Sequence, residues 1–128
     1  MIAVGGRVGN YEVMEKIGEG AMGSVFMAIH PGIGKKVALK VIHPQLATNE
    51  EMVTRFFNEA RFVSQLGHQN IVEVKDFGQT PDGDNFIVME LLEGVTLGER
   101  IKQERVMPIA KALHIATQLA DGLAAAHA

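Results

Sequence analysis

The stretch Ile17-Gly18-Glu19-Gly20-Ala21-Met22-Gly23-Ser24-Val25 decides the fold, because its three glycines follow the spacing G-x-G-x-x-G between two strand-like runs. Glycines at this spacing allow positive φ angles, and they remove the Cβ atoms that would keep backbone N–H groups away from phosphate oxygens. The pattern alone fits three structures: a loop that opens a helix at a dinucleotide site, the tip of a β-hairpin over a nucleoside triphosphate, or a glycine-rich hairpin without a ligand.

The residues that follow the glycines favour a hairpin. Residues 24–30 form a short apolar run, and a turn rich in glycine and lysine follows at 31–36, so no helix begins here. A dinucleotide site needs an acidic residue about 20 positions after the loop to bind the ribose. No Asp or Glu lies between Glu19 and Glu50, and the dinucleotide interpretation is therefore disfavoured.

Composition limits the class of protein. The chain has 128 residues, of which 47% are hydrophobic and 21% charged, and this composition is typical of one modest globular domain. The net charge of −3 argues against a nucleic-acid partner, and the absence of cysteine excludes disulfides and thiolate metal sites. No apolar run is long enough for a signal peptide or a membrane span, so we expect a soluble, cytoplasmic chain without a membrane segment.

Hydrophobic periodicity predicts an α+β fold, with a five-stranded antiparallel sheet and one main helix. Asn49 or Thr48 can cap a helix over 50–66, which Gly67 would end. A further helix is expected after Met107-Pro108. The strands are predicted at 11–17, 24–30, 37–43, 71–77 and 86–90.

Lys40 is the first candidate for a charged functional residue. The two-residue period of its strand places it on one face with Ala38 and Ile42, where a lone ammonium is costly unless it is paired. Exposure of the lysine at the surface is the alternative. Glu59 falls inside the apolar face of the helix at 50–66, and we therefore predict an ion pair between Lys40 and Glu59 that packs this helix on the strand.

Four motifs occur together and in a fixed order from residue 10 onward. They are Gly18-x-Gly20-x-x-Gly23-x-Val25, Val37-Ala38-Leu39-Lys40, Arg55-Phe56-x-x-Glu59-Ala60 and His68-Gln69-Asn70-Ile71-Val72. In this combination they resemble the small lobe of a eukaryotic-type (Hanks-type) protein kinase, and their sequences are most similar to the serine/threonine kinases of bacteria. The resemblance implies a lead-in over 1–9, the N-terminal lobe with glycine-rich loop, strand-three lysine and helix C over 10–92, and the hinge exit with an incomplete, truncated start of the C-terminal lobe over 93–128.

The resemblance also implies ATP and Mg²⁺ as cofactors and, in a full-length enzyme, phosphoryl transfer to a serine or threonine hydroxyl of a protein substrate. Lys40 would hold the α- and β-phosphates, with Glu59 as its partner on the helix. The residues implied in nucleotide binding are Ile17, Gly18, Glu19, Gly20, Ala21, Met22, Gly23, Ser24, Val25, Ala38, Lys40, Met89, Glu90, Leu92, Thr96 and Leu97.

The same resemblance assigns roles to individual residues around the adenine. The Glu90 carbonyl and the Leu92 amide would bind the purine edge, and Met89 would guard the back of the pocket. Val25 and Ala38 would close over the adenine. Leu97 would lie under the adenine and Thr96 near the ribose, although a hydroxyl and an apolar residue are equally what the start of a short helix shows.

Two strings invite a wrong assignment. Asp76-Phe77-Gly78 spells the D-F-G of kinases, whose aspartate binds magnesium, but it lies before the hinge instead of after the catalytic loop. We interpret it as the end of a strand entering a turn. The string Gly32-x-Gly34-Lys35-Lys36 lacks the spacing and the Ser/Thr of a Walker A loop and is interpreted as a basic hairpin.

The catalytic base and the metal ligands of a protein kinase have no counterpart in these residues. None of the five histidines is followed by Arg-Asp, so no catalytic base is present, and no metal ligands are predicted. We expect the 128-residue chain to be inactive alone. The alternatives are a catalytically dead kinase-like regulatory or docking module, and a non-kinase nucleotide-binding protein that has only the hairpin. The last helix leaves an apolar face uncovered that could support self-association: Ile109, Leu113, Ala116, Leu119, Ala120 and Leu123.

Overall fold

A computed structural model describes all residues from 1 to 128. One six-stranded antiparallel sheet, in the order β1-β2-β3-β4-β6-β5, carries one long helix between its fourth and fifth strands, and two helices follow. The predicted α+β class is confirmed. The elements are β1 Arg7–Val8, β2 Tyr11–Glu19, β3 Gly23–His30, β4 Lys35–Ile42, α1 Glu50–Leu66, β5 Val74–Gln79, β6 Asn85–Glu90, α2 Leu97–Glu104 and α3 Ile109–His127.

The sheet differs from the prediction at two places. A sixth strand of two residues, β1, forms in the lead-in and pairs with β2. β5 begins at Val74 instead of residue 71, because Ile71 closes a turn by donating its N–H to the His68 carbonyl at 3.0 Å. The apolar residues 71 and 72 resemble strand residues in sequence, but they connect α1 to the sheet.

Helix α1 has the bounds that its sequence predicts. The Asn49 side chain accepts a hydrogen bond from the Met52 N–H at 3.2 Å, and Glu50 and Glu51 in the first turn complement the helix dipole. Gly67 ends the helix with φ of 56°, a left-handed conformation that favours glycine.

The two faces of the sheet bury different sets of residues. One face carries the larger core, which the lead-in covers with Ile2 and Val8. On the other face, Phe56 and Ala60 of α1 pack against Ile42 and Ile87. Because α1 covers only part of this second face, the region beneath the β2–β3 hairpin stays open. The larger core consists of Ile2, Val8, Val13, Phe26, Ala28, Val37, Leu39, Val41 and Val88.

Helix α3 is held against the connection between α1 and β5. The Asn70 side-chain amide donates to the Gln118 carbonyl at 3.0 Å, and Gly122 is the buried residue of the helix, facing Asn70 and Ile71. The predicted apolar face of α3 stays exposed at Ile109, Leu113, Leu119 and Leu123. None of the three helices combines the length and the hydropathy that crossing a bilayer requires.

Candidate nucleotide-binding site

Strand register places four of the predicted site residues on one face of the sheet. Val25 lies opposite Lys40 on the neighbouring strand, and Ala38 lies opposite Met89. Residues directly opposite in an antiparallel pair share a face, as do residues two apart on one strand. Val25, Ala38, Lys40 and Met89 therefore form one patch, with Ala38 buried and the other three half-buried.

The glycine-rich stretch is a β-hairpin, and no helix follows it. Gly18 pairs with Val25 and Glu19 with Ser24, which leaves residues 20–22 as the tip. The Gly20 N–H donates to the Gly23 carbonyl at 2.9 Å and closes the tip. The two interpretations that require a hairpin therefore remain, and the dinucleotide interpretation fails.

The reason for the glycines differs from the prediction. None of Gly18, Gly20 and Gly23 has a positive φ. At Gly23 the constraint is steric, because a Cβ atom would lie 2.0 Å from the Val41 carbonyl oxygen. At Gly18 and Gly20 the nearest atoms would lie 3.8 and 4.0 Å away, so those positions are open in the structure.

Two backbone donors are free at the hairpin tip. The N–H groups of Ala21 and Met22 donate no hydrogen bond within the chain. The carbonyls of Gly20 and Met22, in contrast, both lie at hydrogen-bond distance from His43. Free N–H groups in a tight turn are suited to bind an anion such as a phosphate. Sequence reasoning missed His43, because nothing in its spacing from the glycines indicates the contact.

The predicted ion pair between Lys40 and Glu59 is not present. Glu59 is exposed, and the Lys40 ammonium lies 5.9 Å from the centroid of the Phe56 ring instead. Successive helix residues are about 100° apart around the axis, so a helix that turns Phe56 and Ala60 to the sheet turns Glu59 away. The catalytic role of Glu59 stays a prediction. The groove beside Glu59 is lined by Glu51, Thr54, Arg55, Asn58 and Phe62.

Glu19 carries a negative charge at the base of the hairpin tip. The Lys16 ammonium lies 2.9 Å from its carboxylate, and this hydrogen bond and charge lower the pKa of Glu19, with a smaller contribution from His43. Glu19 therefore stays ionised at neutral pH, and Lys16 offsets its repulsion of an incoming anion. The neighbouring Ile17 is exposed and Ser24 is half-buried.

The hinge after β6 offers one free donor. The Leu92 N–H donates no hydrogen bond within the chain, and Leu92 is 66% exposed. The Glu90 N–H and carboxylate are both bound to the backbone of Glu73, at 3.0 and 2.9 Å. Thr96 caps α2 by accepting the Glu99 N–H at 3.1 Å, and Leu97 is the first residue of that helix. Their positions near adenine and ribose stay predictions.

Of the two misleading strings, the basic hairpin lies as predicted and the Asp76-Phe77-Gly78 string does not. Asp76-Phe77-Gly78 is within β5, where the Asp76 carboxylate accepts its neighbour's N–H at 2.8 Å, so the string lies inside a strand instead of at its end. Gly34 turns the β3–β4 hairpin with φ of 70° and donates to the His30 carbonyl at 2.7 Å. No three His, Asp or Glu side chains are grouped to hold a metal ion, so the chain by itself offers no preformed magnesium cage.

The patch under the hairpin is an open surface and not an enclosed pocket. A cavity of about 500 Å³ lies elsewhere, between the end of α1, residues 67–74 and Glu90. Helix α1 reaches the patch at Lys40, where the Phe56 ring centroid lies 5.9 Å from the ammonium, and neither Val25 nor Ala38 lines that cavity, so a purine on them would have the sheet as its wall. A ligand pocket normally buries most of its ligand, and this surface alone is therefore suited to weak binding.

Comparison with known proteins gives the family. The protein kinase domain model matches residues 11–128. The serine/threonine-protein kinase Pkn1 of Myxococcus xanthus is 37% identical over 125 residues, which are 98% of this chain and 18% of that protein. PrkC of Bacillus subtilis is 36% identical over 125 residues, 97% of this chain and 19% of that protein. The chain thus spans less than a fifth of the length of these relatives.

A solved structure shows the same arrangement. The kinase domain of Mycobacterium tuberculosis PknI matches with a TM-score of 0.79 and 33% identity, over 99% of this chain and 52% of that domain. The chain belongs to the protein kinase family, and it resembles the serine/threonine kinases of bacteria. The resemblance stated from the four motifs is therefore confirmed.

Proposed function

We propose that the chain is the ATP-binding portion of a serine/threonine protein kinase, with the small lobe over 10–92 and the first part of the large lobe over 93–128. The observation that carries the proposal is the register that sets Val25, Ala38, Lys40 and Met89 on one face beneath a glycine hairpin. The purine would lie on Val25 and Ala38, with its edge at the free Leu92 N–H. The triphosphate would extend toward Lys40 and the hairpin tip.

The site's chemistry is positioning and neutralisation of charge, which is what phosphoryl transfer requires. Lys40 supplies a positive charge, and the free N–H groups of Ala21 and Met22 supply neutral donors. Magnesium would supply further positive charge to the phosphates, and no group of three His, Asp or Glu side chains in this chain would hold it without the nucleotide. The serine or threonine acceptor belongs to a protein substrate.

A role for Glu59 requires a movement of α1. In the structure the Phe56 ring lies beside the Lys40 ammonium, at the place that the Glu59 carboxylate would have to reach. We propose that α1 shifts when nucleotide and the rest of a kinase domain are bound, so that Glu59 replaces Phe56 beside Lys40. Order and orientation changes of this kind are common in switching proteins.

Replacement of Lys40 by methionine tests the proposed site. Hydrogen bonds to a charged group contribute about 1.5–3 kcal/mol, so we expect ATP to bind about tenfold to a hundredfold more weakly. NMR titration of the labelled protein with ATP measures the affinity. Lys35→Met is the matched control, because Lys35 is exposed at the far end of β4 and the charge change is identical. Equal ATP affinity of Lys40→Met and the unchanged protein contradicts the proposal.

Phosphotransfer by these 128 residues alone is expected to be undetectable. The chain holds no His-Arg-Asp to supply a base for the acceptor hydroxyl, and no group of acidic residues to hold magnesium. Incubation of the purified protein with radiolabelled ATP, Mg²⁺ and a generic protein substrate measures the activity. Substantial labelling of the substrate, lost in Lys40→Met, would show that the chain brings its own catalytic machinery.

Self-association is the partner interaction that the exposed face of α3 supports. Leu113 and Leu119 are more than half exposed on a helix that packs through its opposite side. We propose that two chains bury these faces together, and sedimentation velocity is expected to show a concentration-dependent dimer. Leu113→Glu should leave a monomer, whereas His114→Glu, an exposed residue off the apolar face, should not. A monomer at all concentrations overturns this interaction and leaves the ATP site unaffected.

A further inference from the structure

His43 is the residue through which the glycine hairpin is attached to the end of β4. Its backbone N–H donates to the Met22 carbonyl at 2.8 Å, and its ring Nε2 lies 2.8 Å from the Gly20 carbonyl oxygen. One residue thus binds two of the three carbonyls at the tip of the hairpin. It follows β4 directly and lies three positions after Lys40.

The ring contact determines which nitrogen carries the proton. A carbonyl oxygen only accepts hydrogen bonds, so Nε2 of His43 has to donate to the Gly20 carbonyl. Both the neutral tautomer with a proton on Nε2 and the imidazolium can make this contact. The contact therefore does not depend on the charge of the ring.

The backbone carbonyl of His43 connects the hairpin to helix α1. This carbonyl accepts the N–H groups of Leu46 and Ala47 at 2.9 and 3.2 Å, which begins the turn that leads into α1. The Met22 side chain packs against the cluster that α1 forms with Ile42 and Ile87. The tip of the hairpin is therefore fixed both by hydrogen bonds to His43 and by apolar contact.

The contacts of His43 occupy two carbonyls at the tip and none of its N–H groups. The carbonyls of Gly20 and Met22 would repel a phosphate, and both are occupied by His43. The N–H groups of Ala21 and Met22 attract a phosphate, and both are free. Preorganised donors bind an anion more tightly than donors that have to be ordered on binding, because the ordering cost has already been met.

We propose that His43 is a positioning residue for the nucleotide phosphates: its ring and backbone hold the glycine hairpin in the conformation that presents the N–H groups of Ala21 and Met22. This inference rests on the proposed function, since it concerns the same ATP site. His43 itself does not contact the nucleotide. Its effect is exerted through the position of the hairpin.

Two substitutions of His43 separate the ring contact from the fold. His43→Leu removes the ring donor and keeps the backbone N–H, whereas the side-chain amide of His43→Gln can donate to Gly20 again. Without nucleotide, hydrogen exchange of the residue 43 N–H, which is bound to Met22, is expected to become about threefold to tenfold faster in His43→Leu, and ATP affinity is expected to fall by a similar factor. Both values should return toward those of the unchanged protein in His43→Gln.

The control is His30→Leu, because the ring of His30 also contacts a backbone group of a turn, accepting the Gly32 N–H at 3.2 Å, but at the opposite end of β3 from the glycine hairpin. It should alter neither measurement. If exchange accelerates in His43→Leu and ATP affinity does not change, the inference is wrong and the proposed ATP site stands. If exchange does not change, the inference is also wrong. If the unchanged protein binds no ATP, the proposed function fails and the inference fails with it.

Discussion

Replacement of Gly23 by alanine is expected to lower the free energy of unfolding by about 3 kcal/mol, the upper end of the range for an overpacked site. The added Cβ would lie 2.0 Å from the Val41 carbonyl oxygen and 2.8 Å from its carbon. These are backbone atoms of β4, which is paired with β3 on one side and β6 on the other, so they cannot move aside cheaply. Urea unfolding followed by circular dichroism measures the change.

Gly20→Ala is the matched control within the same hairpin. A Cβ at Gly20 would have its nearest neighbour at 4.0 Å, and the residue has no positive φ. We expect its free energy of unfolding to stay within about 0.5 kcal/mol of the unchanged protein. An equal loss in the two variants would mean that the hairpin needs glycine for its flexibility, and that the close approach of Gly23 to Val41 does not matter.

The hairpin illustrates which part of the site sequence reasoning can reach. Its existence follows from local information, namely three glycines and the strand-like runs on either side. The reason for Gly23 lies in the backbone of β4, eighteen residues further along the chain at Val41, and no local pattern indicates that approach. The contact of His43 with Gly20 was missed for the same reason. Such contacts depend on register, which only the folded sheet determines.

Helix α1 shows the same difference between features that local sequence determines and contacts that only the folded sheet determines. Its ends were predicted correctly, because Asn49 and Gly67 act on the groups of their own helix turns. The predicted apolar face packs on the sheet at Phe56 and Ala60, but Glu59, which was placed inside this broad face, is exposed. Packing of Phe56 against Ile42 and Ile87 decides whether Glu59 or Ala60 faces the sheet. The Lys40–Glu59 pair required a choice that the sequence pattern does not make.

The family motifs predicted more of the candidate site than hydrophobic periodicity did. Val25, Ala38, Lys40 and Met89 come from three strands, and the register of the sheet sets them on one face, while their roles at the nucleotide stay predictions. Thr96 shows the limit, since its hydroxyl caps α2 as an ordinary helix start would. The short strand β1 was missed because two paired residues in a glycine-rich lead-in leave no periodic signal.

Phe56→Ala is expected to have the largest effect on stability of any single truncation on α1, about 3–5 kcal/mol. The Phe56 ring is completely buried, packs between Ile42, Ala60 and Ile87, and contacts the Phe57 ring edge-on at 5.4 Å between centroids. It is the largest fully buried side chain of the protein. A domain of this size has only about 5–15 kcal/mol in total, so urea unfolding should show a large fall in the midpoint.

Phe62→Ala provides the comparison, because Phe62 lies on the same helix and is 51% exposed. The loss of its ring should change the free energy of unfolding far less than the loss of Phe56. Truncation of Phe56 also removes the ring beside the Lys40 ammonium, at 5.9 Å, and opens the place that Glu59 would have to occupy. If the two alanine variants are equally stable, α1 is not held on the sheet by Phe56, and its rotation has to be set by other contacts.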